Sequence, residues 1–212
     1  MITNDARQAW ALARDDGLRS QSEVTREQQE LGCTVDTSVR GGQGAAVGAE
    51  YARILHCIEA LPIPARAVGD ALNARGVINA QALEQAQSLG ALSAAQMVGR
   101  RMPGYPRWKP EKQRMLYYVA LAAMERAWVE LYAIPEALDS KGNPEGRTLD
   151  KPWKVQKYIR GKLGQPIKAE HWNRDWGDAW RMLLTAIYEQ DAAGQDAVER
   201  CVGEMREWQK AG

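Results

Sequence analysis

Residues 111–135 read EKQRMLYYVALAAMERAWVELYAIP. Met115, Tyr118, Leu121, Ala122, Met124, Trp128, Leu131 and Tyr132 recur at helical spacing. That is the pattern of a core helix of about six turns with one apolar stripe. Pro135 cannot continue such a helix and marks its end.

Working outward toward the N-terminus, MPGYPRWKP at 102–110 holds three prolines and a glycine, too many for a regular element. It reads as a domain boundary. Before it, Ala80 to Arg101 and Ala65 to Asn73 carry helical patterns, as does AAVGAEYARILHCIEALP from Ala45 to Pro62, with Tyr51, Leu55, Ile58 and Leu61 at helical spacing. GGQG at 41–44 reads as a hinge before that helix. CTVDTSV at 33–39 is the one segment with β-branched alternation and predicts a short strand. A short helix is expected from Ser22 to Leu31, with Ser22 and Thr25 as capping residues. Another is expected in DARQAWALARDD, capped by Asp5 and closed by Gly17.

Toward the C-terminus, the polar connection DSKGNPEGRTLD leads to three further helices, near 151–163, 168–192 and 195–209. One short strand makes no sheet, so the fold class is all-α, a multi-helix protein with a helix-turn-helix-like unit at its C-terminal end. The punctuation divides the chain into 1–44 (N-terminal helices and Gly-rich arm), 45–101 (helical region), 102–150 (Pro-rich loop, core helix and linker) and 151–212 (helix-turn-helix-like region).

The 212 residues carry a formal net charge of +1, and that average hides a segregation. Residues 1–99 hold 8 Arg and no Lys against 11 acids, 100–168 hold 15 cations against 7 acids, and 169–212 hold 5 against 9, for local balances of −3, +8 and −4. Residues 151–168 contain six cations (Lys151, Lys154, Lys157, Arg160, Lys162 and Lys168) and no acid. RRMPGYPRWKPEKQR adds six more against one acid, among them Arg107, Lys109 and Lys112. Cations interleaved with Tyr105, Trp108, Trp153 and Tyr158 are what a polyphosphate surface requires: charge that releases counterions, and planar groups to lie along sugar or base. An acidic protein partner, or a solvated helix face, draws on the same composition.

Asp150 is placed to cap the helix that follows, with Pro152 in its first turn and Val155, Ile159 and Leu163 on one face; Gly164 ends it. Gln165, Pro166 and Ile167 form a short turn, and the next helix is expected to start at Lys168. With Trp172 set at zero and about 100° per residue, Trp172, Trp176, Trp180, Leu183 and Ile187 share a packing stripe. His171, Arg174, Asp178 and Arg181 face away from it. In a helix-turn-helix reader the second helix enters the major groove while the first crosses the backbone. Lys168, His171, Asn173 and Arg174 are then the base-reading candidates. Lys151, Lys154, Lys157, Arg160, Lys162 and Arg181, with Arg107, Lys109 and Lys112 from the Pro-rich segment, are the phosphate candidates. Arg160 stands where the usual motif has a small residue, and a plain αα-hairpin accounts for the same pattern.

At these residues, KPWKVQKYIRGKLG followed by HWNRDWGDAWRMLLTAIYEQDAAGQDAVERCV, the chain resembles the C-terminal part of bacteriophage Q-type late-gene antiterminators. The resemblance spans about the last 60 residues. Trp172 and Arg174 stand at that family's Trp-x-Arg pattern, and Leu183, Leu184 and Ile187 on the amphipathic helix after it. The resemblance implies binding to double-stranded DNA near a late promoter, capture of paused bacterial RNA polymerase, and transcription that passes terminators. The zinc-binding cysteine pairs of some members are absent. A helical adaptor or inhibitor of an acidic host protein, and a phage replication or packaging DNA-binding protein, are the alternatives.

The three cysteines, Cys33, Cys57 and Cys201, form neither a disulfide framework nor a zinc motif. They read as ordinary core thiols, the alternative being a site assembled with His56 and His171. GGQGAAVG lacks the Gly-Lys-Ser/Thr of a phosphate loop, though Arg40 beside it makes the hinge a possible contact arm. Asp175 and Asp178 have the spacing to hold a divalent ion, or to pair with Arg174 and Arg181. Neither G-x-S-x-G nor H-E-x-x-H occurs, so no enzyme and no cofactor are expected. No run approaches the roughly 18 apolar residues of a membrane span, and MITNDARQAW has no basic region before an apolar run, so a cytoplasmic protein with no membrane contact is expected.

Overall fold

The computed structural model describes residues 3, 5–15, 41–168 and 170–211, and these are all-α. The helices are α1 (Ala6–Arg14), α2 (Gly41–Glu59), α3 (Ile63–Asn73), α4 (Ala80–Arg101), α5 (Pro110–Leu131), α6 (Pro152–Leu163), α7 (Trp172–Asp175) and α8 (Gly177–Ala211). A single 3-10 turn, Tyr105–Arg107, interrupts the connection between α4 and α5. The helix expected at Ser22–Leu31, the strand expected at 33–39, Cys33 and Arg40 lie outside the described residues.

The caps follow the chemistry of the chain. Asp5 accepts hydrogen bonds from the Arg7 and Gln8 backbone N–H groups at the start of α1, and Asn79 accepts one from Ala82 at the start of α4. Prolines open α3, α5 and α6, where a missing N–H leaves nothing unsatisfied. Gly164 closes α6 in the left-handed conformation at φ 64°. Asp150 does not cap α6. Lys151 holds that position, and the Asp150 carboxylate turns to Lys154 instead.

Three expectations change. The helix expected from Ala45 begins at Gly41, because glycine weakens a helix without blocking it as proline does. The helix expected at 168–192 is broken at Trp176, and from Gly177 it runs on through the one expected at 195–209 as α8, one rod of 35 residues, or about 52 Å. Gly194, in the gap expected between them, is a close-approach residue: a Cβ there would stand 2.9 Å from the Trp10 ring. The face of α5 also differs from the expected stripe. Ala122 and Met124 of the expected stripe are buried, but so are Leu116, Val119, Ala120, Ala123 and Ala127, whereas Met115, Tyr118, Leu121, Trp128 and Leu131 are only partly so and Tyr132 is exposed. Alanines let neighbouring helices approach closely, and the bulky residues fill the flanks of that contact.

α8 is the spine. It packs on α1, α2, α3, α4 and α5, and α6 packs on α5. One core cluster runs from Val68 and Leu72 through Val98, Leu116 and Met124 to Ile159, Trp172, Leu183 and Ile187. It therefore crosses the 102–110 loop: α4 and α5 pack on each other directly, and the loop joins two helices of one core rather than separating two domains. A second cluster gathers Trp10, Ile54, Ile58, Val198, Val202 and Met205 around the later half of α8. No helix among the described residues is long and apolar enough to cross a membrane.

Candidate nucleic-acid interface and the adjoining cleft

The run without acids is anchored by acids from outside it. Lys154 is only 6% exposed. Its ammonium pairs with Glu136 and, at 2.6 Å, with Asp150, and donates to Thr148 Oγ1 at 2.7 Å. Glu136 also accepts from the Gly146 and Arg147 backbone N–H groups at 2.8 and 2.7 Å. Burial opposes the Glu136 charge, but the hydrogen bonds from Lys154, Thr148, Arg147 and Gly146 outweigh it and hold the carboxyl at about 2. Lys154 thus fastens the 136–150 connection to α6 and is withdrawn from the phosphate candidates.

Val155 and Ile159 turn α6 onto α5, which leaves Trp153, Lys157 and Arg160 on the outward face. Lys151 precedes the first turn and Lys162 lies in the last; all four cations are exposed. Lys157 donates to the Glu145 backbone oxygen at 2.8 Å. Among the described residues no carboxylate forms an ion pair with Lys151, Lys157, Arg160 or Lys162, nor with the exposed Arg107, Lys109 and Lys168. Of the four aromatic residues interleaved with the charge, Trp153 keeps a wet surface. Tyr158 packs against the core, where burial first and Glu125 second push its phenol up to about 12.

The helix-turn-helix geometry is not formed as expected. Instead of a three-residue turn, the connection runs from Gly164 to His171, and the helix entered there ends at Asp175, with Trp176 breaking it from α8. A helix-turn-helix joins its members by about three to four residues. Lys168 stands on the irregular connection, His171 at the N-cap of α7, and Asn173 and Arg174 on the four-residue α7, all exposed. They do not line one recognition helix. The longer connection lets Trp172 and Trp176 turn inward, each less than 8% exposed, and the packing assigned to that stripe holds.

Beside this segment lies an open cleft of about 610 Å³. Next to its lining residue Val98, a Cβ on Gly99 would stand 2.9 Å from the Tyr105 ring, so its absence lets the 3-10 turn fold down on α4. Tyr105 packs against Trp108 at 5.5 Å between ring centroids, and Trp108 meets Trp176 edge-on at 5.6 Å. Lys112, in the first turns of α5, places its ammonium 4.1 Å from the Trp108 centroid and 5.3 Å from that of Trp176. Arg101, Arg174 and Arg181 complete a cationic lining. Arg174 bonds Asp175 through Nε at 2.8 Å, and Arg181 bonds Asp178. These carboxylates are thus taken up by arginines, the second of the two roles expected for them. The sequence set Lys112, Arg174 and Arg181 among phosphate and base contacts but gave no sign that they share a cleft, since the fold-back at Gly99 depends on a tertiary contact.

Among the described residues no three His, Cys, Asp or Glu side chains are grouped to hold a metal ion. Cys57 and Cys201 are free thiols on α2 and α8. Compared with protein-family models, curated proteins and solved structures, the chain matches none of them.

Proposed function

We propose that this chain binds double-stranded DNA through the outer face of α6, with Arg107 and Lys109 as further phosphate contacts. One observation carries the reading: Lys151, Lys157, Arg160 and Lys162 are exposed on or beside one short helix with no carboxylate ion-paired to them, while the cation of that run that does have acid partners, Lys154, is buried. Cations with no ion-paired carboxylate keep their charge for phosphates, though Lys157 lies within the field of Asp139, and Trp153 beside them offers a planar surface for sugar. Lys168, His171 and Asn173 sit on the segment that leaves α6 and are the nearest candidates for base contacts. Arg174 serves less well, because Asp175 holds its fork.

With the resemblance of the C-terminal segment to Q-type antiterminators, the specific activity proposed is phage transcription antitermination: binding near a late promoter and modification of RNA polymerase in the host bacterial cytoplasm. The test has two stages. Duplex DNA binding near 50 mM salt should be lost in Lys157→Glu/Arg160→Glu and kept in Lys141→Glu; equal binding by both variants, or none by the wild type, overturns the DNA reading. Readthrough of a terminator in a purified transcription reaction should then rise with added protein. DNA binding without any gain in readthrough removes antitermination and leaves the DNA reading standing.

A further inference from the structure

The α6 surface leaves the cleft between Trp108 and α8 without a role. Its most informative group is the Lys112 ammonium. It packs against two indoles with no hydrogen-bond partner among the described residues, its N–H groups open to the cleft. Cation–π attraction compensates part of the lost water, but it satisfies no N–H donor. Nearby carboxylates do not fill the gap, since Asp175 is engaged by Arg174 and Asp178 by Arg181. Removal from water lowers the Lys112 pKa, Asp175 raises it and Arg174 lowers it further, the net shift being downward. A ligand oxygen bearing negative charge would satisfy the donors and reverse that shift.

The remaining lining constrains the rest of the ligand. Val98, Met102, Met182 and Ala186 give an apolar wall, and Met side chains adapt to flat, polarizable groups. Arg101 and Arg181 stand at the rim; Arg101 is tied to Glu189 at 2.9 Å across α4 and α8, so its guanidinium is held in place. A volume of about 610 Å³ lies within the usual range of roughly 300–1,000 Å³ for small-ligand sites.

We propose that this cleft binds a phosphomonoester carrying a planar body, with the phosphate on Lys112 and the planar group against Met102 and Met182. The site is distinct from the α6 face, and Met102 and Trp108 of its lining flank Arg107 and Lys109 of the proposed duplex contact. The probes are AMP, inorganic phosphate and adenosine, measured by equilibrium dialysis against the full chain. AMP should bind at least tenfold more tightly than either of its parts. Lys112→Met, which keeps the apolar stem over the indoles, should weaken AMP at least tenfold, with the circular dichroism spectrum retained as the check on folding. Met182→Glu should weaken AMP without disturbing the lysine. Lys157→Glu/Arg160→Glu, the variant that disables duplex binding, should bind AMP as the wild type does. Wild-type affinity in Lys112→Met, adenosine binding as tightly as AMP, or no AMP binding at millimolar concentration overturns the proposal.

Discussion

Two tryptophan-centred regions of this molecule use the same ingredients for opposite ends. Around Trp10 the ring is fully buried between α3 and α8, and a Cβ on Gly69 would stand 2.2 Å from it. Its indole N–H donates to Asp70 at 2.9 Å, and Arg14 forks onto the same carboxylate at 2.8 and 2.9 Å. Arg7 forks onto Asp191 and also donates to Asn73 at 2.7 Å. Every one of these bonds joins α1, α3 or α8 to another helix, so charge acts as a cross-link. Around Trp108 the arginines pair with carboxylates one and three residues away on their own segments, and Lys112 pairs with none. Only Arg101 and Glu189 reach across, half-exposed. Charge saturated between helices closes a junction; charge satisfied locally leaves a cleft open.

Substitutions can break this contrast, and the largest effect is expected at the junction. Trp10→Ala removes the ring that α3 and α8 close upon and should cost about 3–5 kcal/mol in denaturant unfolding. Gly69→Ala pushes a methyl into that ring and should cost about 1–3 kcal/mol. Asp191→Ala strands Arg7 and Asn73, and because Asp191 is only 3% exposed the loss should be about 3 kcal/mol.

A smaller and pH-dependent effect belongs to the Lys154 anchor. Its hydrogen bonds lower the Glu136 carboxyl from 4.5 to about 2 against the opposing effect of burial. A lowered folded-state value gives stability that is fully present above 4.5 and lost as pH falls through about 2. Glu136→Gln should therefore be less stable at neutral pH, and its stability should decline less steeply than the wild type's between pH 4.5 and 2 in acid unfolding followed by circular dichroism. The smallest effects are expected at the cleft. Arg174→Ala and Arg181→Ala remove exposed pairs within one segment and should each leave the denaturant midpoint of unfolding unchanged. A clear drop in that midpoint would show that those pairs also hold helices together.

The all-α class was legible because proline and glycine punctuate long helical stripes, and Asp5 and Gly164 act as their residue types suggest. The charge segregation was legible as well, and most of the cations it singled out are exposed. Which cation would be buried was not. Lys154 is indistinguishable from Lys157 within the run, and its partner Glu136 lies across a connection whose course rests on the Gly146 and Arg147 backbone. The helix-turn-helix pattern misled for a related reason. Helical spacing of Trp172, Trp176 and Trp180 holds whether the helix is continuous or broken at Trp176, so periodicity alone could not place the break. Gly99 and Gly194 look like helix-weakening residues in sequence and are contact residues in the fold, Gly99 facing Tyr105 six residues on and Gly194 facing Trp10 across the fold.

The salt dependence of duplex DNA binding, read by fluorescence anisotropy, tests the exposed cations of α6 directly. Six phosphate contacts from Lys151, Lys157, Arg160, Lys162, Arg107 and Lys109 predict a slope of log affinity against log salt of about −5, falling by about 0.9 in each of Lys157→Ala and Arg160→Ala. A slope near zero, or one left unchanged by both substitutions, would contradict DNA binding through this face.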